Sequence, residues 1–496
     1  MDYNNYDGLT DLSTTKLCGA VHGSLIQEFF AGKSVFITGG TGFVGKALVE
    51  KLLRSCPKLD KIYLLVRPKK GVHPKVRLTE LLKNSVMFDR VRAECPATIF
   101  EKVTCIEGNV TESGLGLAIE DKATLISNVN VVFHSAATVK FNEALPSAVD
   151  LTPAAPNALS SSALVHVSTA YSNADKREIQ EVVYSPPGNP NHVMECCENM
   201  PQEMLDLIAE RIQKNHPNTY TVTKAMAEWL VAEQARTLPT AIVLTAAWRE
   251  PMPGWVDNIS GITGIMMEIG RGTIRSIICD QKLVVDIIPV DFVVNTLIAV
   301  AWHTATNIQK DNIIINTDGS TERLQLHFRD HQPDQWEELG VMTQRHALMV
   351  PSRYIQWYPG FSFRTNRFIH WIYEAAFHFL PAVIVDVILR LQGSKPIFIS
   401  MAKVNFKMAA KTGEFFALNE FNFDNRNLGQ LIKEIASSSD QPNFEVDVAK
   451  IGWDSYVKQY MLGIRKFVLK DPPETIPGAR RKLYRFVFHL LLFLFF

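Results

Sequence analysis

The sequence predicts an α/β protein, a doubly wound parallel sheet followed by a smaller, mainly helical C-terminal domain that associates with a membrane. Three observations carry this. A short apolar run, Val35–Ile37, feeds straight into Gly39-x-x-Gly42-x-x-Gly45 and an amphipathic stretch, Lys46–Arg54. That is the strand, turn and helix context a nucleotide-phosphate site needs. Further apolar runs near 61–67, 103–107, 129–134 and 164–171 are separated by longer polar or helical stretches. Alternation of that kind builds a parallel sheet with helices on both faces. The last third is aromatic and apolar and closes on a basic, then greasy, tail.

With 496 residues, 47% of them apolar, the chain can fill two or three domains. Its formal net charge is zero, so no global field argues for a nucleic-acid partner. Seven cysteines are scattered without a C-x-x-C pair, which disfavours a zinc knuckle or a disulfide scaffold and fits a reducing compartment. No metal site is expected. Residues 1–30 read as a mobile lead-in. Met1–Ala20 is polar and acidic, so no signal peptide is expected.

In the glycine turn, Thr38, Gly39, Gly42, Phe43, Val44 and Gly45 are the candidates to hold a pyrophosphate. Small residues let the backbone approach, and a helix N-terminus offers unpaired N–H groups to the charge. The second strand, Lys61–Arg67, ends in Arg67, with Lys69 and Lys70 just beyond. An acidic residue there would bond a ribose 2′-OH; a guanidinium suits a 2′-phosphate. NADPH is therefore expected over NADH, with Arg67 as the selecting residue. The strand at Val103–Glu107 runs into Asn109 and Val110, and Val129–His134 runs into Ser135, Ala136 and Ala137. Small residues at strand ends suit the crevice where cofactors lie, which adds Asn109, Val110, His134 and Ala136 to the cofactor candidates. His166, inside an apolar run, reads as a core histidine. Val76–Glu94 reads as a charged helical stretch.

The catalytic candidates follow. Tyr220-x-x-x-Lys224 opens a helical stretch, Thr221–Arg236. Positions four apart share a helix face, so phenol and ammonium point the same way. A nearby cation favours the phenolate, and such a tyrosine can hand a proton to an oxygen that is becoming negative. Ser168 and Thr169 end a strand of the same sheet and could supply a second hydrogen bond to that oxygen.

Residues 38–45 with Tyr220-x-x-x-Lys224 resemble the extended short-chain dehydrogenase/reductases, with their Rossmann-like sheet. The blocks Gly108–Gly116, His134–Phe141, His166–Tyr171, Asp175–Ile179, His216–Tyr220, Pro251–Asn258 and Ile288–Asp291 are similar to fatty acyl-CoA reductases of the insect type. The resemblance runs from about Ile26 to the C-terminus. It implies NADPH-dependent reduction of a long-chain acyl-CoA to a fatty alcohol by two hydride transfers. It also implies that Ser168, Thr169, Tyr220 and Lys224 act on the substrate carbonyl, with Lys224 also holding the nicotinamide ribose and lowering the tyrosine pKa. Two other readings share these residues: an extended reductase of a sterol or sugar ketone, and a catalytically impaired, membrane-associated acyl-CoA-binding relative. The latter draws on two departures. The segment Leu151–Ser162 is shorter than the family's crossover helix and, with Pro146, Pro153 and Pro156, resists one. Ala241–Arg249 lacks the Arg-Pro-Ser that relatives place beside the nicotinamide.

The expected organisation is a reductase domain over 31–315, a variable connector over 316–366, an apolar segment over 367–393, a helical C-terminal domain over 394–482 and a tail over 483–496. Phe368–Leu391 is strongly apolar yet contains Glu374, His378, Pro381 and Asp386. Charges inside a bilayer are costly, so an interfacial helical hairpin or a groove lid is expected there rather than a span. Trp357, Tyr358, Trp371 and Tyr373 suit the headgroup level. Arg480, Arg481, Lys482 and Arg485 precede the apolar Phe486–Phe496, which is shorter than the roughly twenty residues a span needs. Such a tail predicts attachment to an anionic membrane surface, at the ER or peroxisome, with the catalytic domain facing the cytosol or the peroxisomal matrix. The expected partners are a long-chain acyl-CoA and a membrane surface, with a homo-oligomer compatible with the sequence.

Overall fold

The computed structural model describes residues 23–137, 162–213, 215–234, 237–239, 243–310, 324–326, 335–395 and 413–495. The first element is a short helix, α1 (Leu25–Phe30). The centre is a five-stranded sheet of β1 (Ser34–Thr38), β2 (Ile62–Val66), β3 (Val103–Glu107), β4 (Val129–His134) and β5 (Ala163–His166). Its order is 3-2-1-4-5, and all four ladders are parallel. The order reverses between β1 and β4, so the ligand crevice of such a sheet opens at the carboxyl ends of those two strands.

Strands β1 and β2 are buried on both faces, whereas β3, at the sheet edge, is largely half-buried. Val35 and Ile37 enter one core with Leu48, Leu52, Leu64, Phe133 and Val165. Phe36 points the other way, into a second core with Tyr63, Leu65, Ile106 and Val132. Double burial explains why the strand sequences are unbroken apolar runs instead of alternating ones. The helix after β1, α2 (Phe43–Ser55), covers the first core. Beyond the sheet, α3 (Thr219–Gln234) carries the tyrosine and lysine. The pair β6 (Val243–Thr245) and β7 (Ile287–Pro289) is parallel, and β7 leads into α4 (Val290–Lys310).

Several expectations are revised. The lead-in ends earlier than residue 30: α1 buries Ile26 and Phe30 completely. The Asp440 carboxylate accepts from Leu25 N at 3.0 Å, Ile26 N at 3.2 Å and the Ser24 hydroxyl, satisfying donors that a helix start leaves unpaired. The stretch 76–94 is not one helix. It divides into Pro74–Asn84, a turn at Val86–Phe88 and Asp89–Glu94, because Ser85 leaves the helix and its side chain accepts from Met87 N. In the connector, Trp336–Met349 is an ordered helix packed on Trp453–Gly463.

The C-terminal region is helical, but its core is continuous with that of the sheet. Phe421, Phe423, Phe444, Tyr456 and Tyr460 belong to the same cluster as Val35 and Leu48. Asn422–Phe423 even pairs in parallel with Glu178–Ile179. The apolar segment is one continuous helix, α5 (Arg367–Leu391), and not a hairpin. A π-turn at Ala375–Phe379 precedes Pro381, and local π geometry lets a helix carry on past a residue that lacks a donor. The tail lies in α6 (Ile476–Phe495). The shortened crossover, 151–162, falls outside the described residues up to 161.

Candidate active site

The glycine turn is built by close approach of backbones. Gly39 has φ +72°, and a Cβ there would lie 2.7 Å from Ala136 N, so the end of β4 leaves room only for glycine. A Cβ on Gly45 would collide with Gly39 O; this third glycine lets the first turn of α2 sit against the loop. Gly42 is exposed and N-terminal to α2, and no side chain caps that helix. The N–H groups of Phe43 and Val44 thus begin an uncapped helix, the arrangement that receives a phosphate.

Across the rim, Thr38, His134 and His166 stand in register on β1, β4 and β5. Thr38 Oγ1 accepts from Ala136 N at 3.3 Å and lies 2.8 Å from His134 Nδ1. The two imidazoles stack with centroids 5.2 Å apart. Burial beside Lys224 holds His134 down to about 3 and His166 well below the usual imidazole range. Both are therefore neutral and inward-facing. His166 is the core histidine expected; His134, a cofactor candidate, is buried by the same stack, and its carbonyl accepts from Val167 N at 2.9 Å.

The backbone beyond β5 brings the catalytic candidates to this rim. Lys224 Nζ donates to Val167 O at 3.0 Å. The Tyr220 phenol lies beside the Thr169 side chain, whose hydroxyl works against the upward shift of the phenol. Ser168 does not share that contact: its Oγ donates to Glu228 at 2.5 Å. Of the two strand-end hydroxyls, Thr169 is the one beside the phenol. The expected phenol–ammonium coupling is also revised. Burial pushes the Tyr220 hydroxyl up to about 12 and the Lys224 amine down to about 8, so at both groups desolvation is the largest influence and it disfavours the charged form.

Around the sheet edge, Arg67 is exposed immediately after β2, and its carbonyl accepts from the Arg77 guanidinium. Asn109 N donates to Leu115 O at 2.8 Å, and Asn109 Nδ2 donates to Glu112 at 3.2 Å. Those bonds fold the β3 end, with Val110 half-buried beside it. Among the described residues no group of three or more His, Cys, Asp or Glu side chains could hold a metal.

Two residues escaped the sequence reading. Asp291, in the first turn of α4, accepts from the backbone N–H groups of Trp248, Arg249 and Glu250 at 2.9, 2.8 and 3.1 Å. It fixes the loop after β6, the segment that lacks Arg-Pro-Ser. That loop returns to the glycine turn, where Trp255 stacks on Phe43 at 4.9 Å and Asp257 pairs with Lys46. The other is Glu228, buried one turn beyond Lys224. Its spacing from Lys224 was the available signal; for Asp291 it was an acid at a helix start just after a short strand.

Comparisons with known proteins bear on this arrangement. An NAD-binding family model described as male sterility protein matches residues 37–297, and a second, under the same description, matches residues 377–471. Fatty acyl-CoA reductase 1 of Rattus norvegicus is 35% identical over 471 residues, covering 92% of this chain and 89% of its own length. Fatty acyl-CoA reductase 2 of Homo sapiens is 35% identical over 491 residues, covering 95% and 92%. Among solved structures, the terminal reductase domain of the myxalamid PKS-NRPS pathway has a TM-score of 0.56 at 16% identity, covering 89% of this chain and 93% of that one. The reductase domain of a non-ribosomal peptide synthetase from Mycobacterium tuberculosis has a TM-score of 0.55 at 15% identity, covering 90% and 97%. At such identities these two speak for the fold alone.

Proposed function

Because the chain belongs to the fatty acyl-CoA reductases, within the extended short-chain dehydrogenase/reductase fold, we propose that it reduces a long-chain acyl-CoA to the fatty alcohol and free CoA. The observation that carries this is the pairing of the Tyr220 phenol with Thr169, on the rim where β1 and β4 open the glycine-built crevice. The crevice fits a dinucleotide, with Gly42 exposed and an uncapped helix start behind it. Thr38, Gly39, Gly42, Phe43, Val44 and Gly45 would hold the pyrophosphate, and the strand ends at Asn109, Val110, His134 and Ala136 would flank it. Bound there, the nicotinamide supplies hydride, first to the thioester carbonyl and then to the aldehyde.

The chain's own residues handle charge and protons. Tyr220 donates a proton to the oxygen that becomes negative, and Thr169 bonds the same oxygen. A phenol near 12 keeps its proton at neutral pH, so it serves as the acid. Lys224, near 8, is charged at neutral pH and turns from the Val167 carbonyl to the ribose. In each half-reaction one hydride and one proton are added; in the first, the thiol of CoA leaves the tetrahedral adduct.

The preference for NADPH is supported by Arg67, exposed beyond β2 with no carboxylate from Val66 to Lys70. Membrane association is supported by α5, which is 25 residues long with mean hydropathy 1.8 and only 12% buried in its apolar window. That length is about 37 Å of helix. The basic start of α6 adds attraction to anionic lipid; ER or peroxisomal membrane, entered from the cytosolic side, suits both helices. The test of function is consumption of NADPH with a long-chain acyl-CoA, with the alcohol identified by chromatography. The anchoring test is deletion of Leu483–Phe496, which should move protein from membrane to cytosol; an unchanged partition would refute the anchor.

A further inference from the structure

Tyr220, Lys224 and Glu228 follow one another at intervals of four along α3, which stacks them on one face. A carboxylate is almost never fully buried without partners. Glu228 is 1% exposed, and its partners come from one segment. Ser168 Oγ donates at 2.5 Å and Asn173 Nδ2 at 3.4 Å, and the Ser172 hydroxyl bonds it as well. All three follow β5, as Thr169 does.

We propose that Glu228 is a positioning residue for the Tyr220–Lys224 pair. Its carboxylate draws Ser168 beneath the strand end, leaves Thr169 as the hydroxyl turned to the phenol, and supplies the counter-charge for Lys224. The proposal rests on the reductase reading of this site. The titratable groups that interact with Lys224 are Glu228 from its own helix, His134 from β4 and His166 from β5, with Tyr220 one turn earlier on the same helix face. Both imidazoles are neutral and the phenol keeps its proton; burial raises the Glu228 carboxyl, while Ser168, Ser172, the Lys224 ammonium and Asn173 favour its ionised form, so Glu228 is the group there that can carry negative charge. Burial lowers the amine of Lys224 and Glu228 raises it. Removing that charge lowers the amine further, so the ammonium is lost at a lower pH.

The experiment follows NADPH binding by its fluorescence, and kcat with a long-chain acyl-CoA, across pH 6–9 in the full chain. Glu228→Gln keeps the shape and loses the charge. It should move the alkaline limb of NADPH binding down by about one pH unit or more, with turnover lowered at pH 8 and partly restored at pH 6. Glu228→Asp and Ser168→Ala retain the charge and should keep the limb in place. Ser168→Ala should also lose less turnover than Thr169→Val. A Glu228→Gln limb that coincides with that of the wild type overturns the proposal, even while the wild type makes alcohol. A wild type that makes none overturns the reading beneath it. If Glu228→Gln yields no folded protein, Glu228→Met, which also removes the charge, is read in its place: a limb moved down supports the proposal and a limb that coincides with that of the wild type overturns it.

Discussion

Helices α3 and α5 are inverted relative to each other. On α3 the polar side chains Thr221, Thr223, Lys224 and Glu228 are buried; on α5 the apolar side chains Phe368, Trp371, Leu380, Ile384, Ile388 and Leu391 are exposed. Each breaks the ordinary preference for apolar groups inside and charged groups outside. Burying an ammonium and a carboxylate costs desolvation that packing alone does not return, and a broad exposed apolar face is a liability in water. Departures of this sort collect where a protein meets something other than itself. The buried charges of α3 lie at the rim of the cofactor crevice, and the bare face of α5 suits lipid.

The contrast can be broken from either side. The largest effect is expected from Tyr220→Phe on α3. It should lower alcohol formation by about 10²–10⁴-fold, the usual worth of a positioned acid, while NADPH binding measured by fluorescence stays near wild type. On α5, Leu380→Lys, Ile384→Lys and Ile388→Lys together should weaken flotation with liposomes, because charged side chains set into an apolar, membrane-facing surface are costly. Folding in detergent should be unaffected. Off both helices, Arg67→Glu should raise KM for NADPH by about ten-fold or more, consistent with losing a charge-assisted bond worth roughly 1.5–3 kcal/mol. The KM for NADH should change less. The smallest effect belongs to Leu391→Ser. That side chain is 83% exposed, so thermal unfolding should shift by less than about 0.5 kcal/mol. A large destabilisation there would mean that α5 is packed by protein.

Local spacing made much of the site readable. The glycines announce the turn because a side chain at Gly39 would meet the backbone at Ala136 and one at Gly45 would meet the loop at Gly39, and Tyr220-x-x-x-Lys224 announces a helix face. Contacts made far along the chain were not readable. Ser168 meets Glu228 across 60 positions, so the sequence offered two equivalent hydroxyls where the fold distinguishes them. The same holds for Asp291, which organises the loop at Trp248–Glu250, and for the strand at Asn422–Phe423, which ties the C-terminal region into the first core. Pro381 and the charges near it read as a break in α5, and the π-turn upstream absorbs the proline. The balance between burial and charge at Tyr220 and Lys224 also needed coordinates, since both terms depend on depth.

The most direct test is the stoichiometry of the reaction, measured on wild type and Tyr220→Phe side by side with a long-chain acyl-CoA. Two NADPH oxidised and one CoA thiol released per alcohol, in the wild type and not in the variant, is the result the arrangement of crevice, phenol and strand-end hydroxyl predicts. Alcohol formed at the same rate by the variant, or NADPH left unconsumed by the wild type, would contradict it.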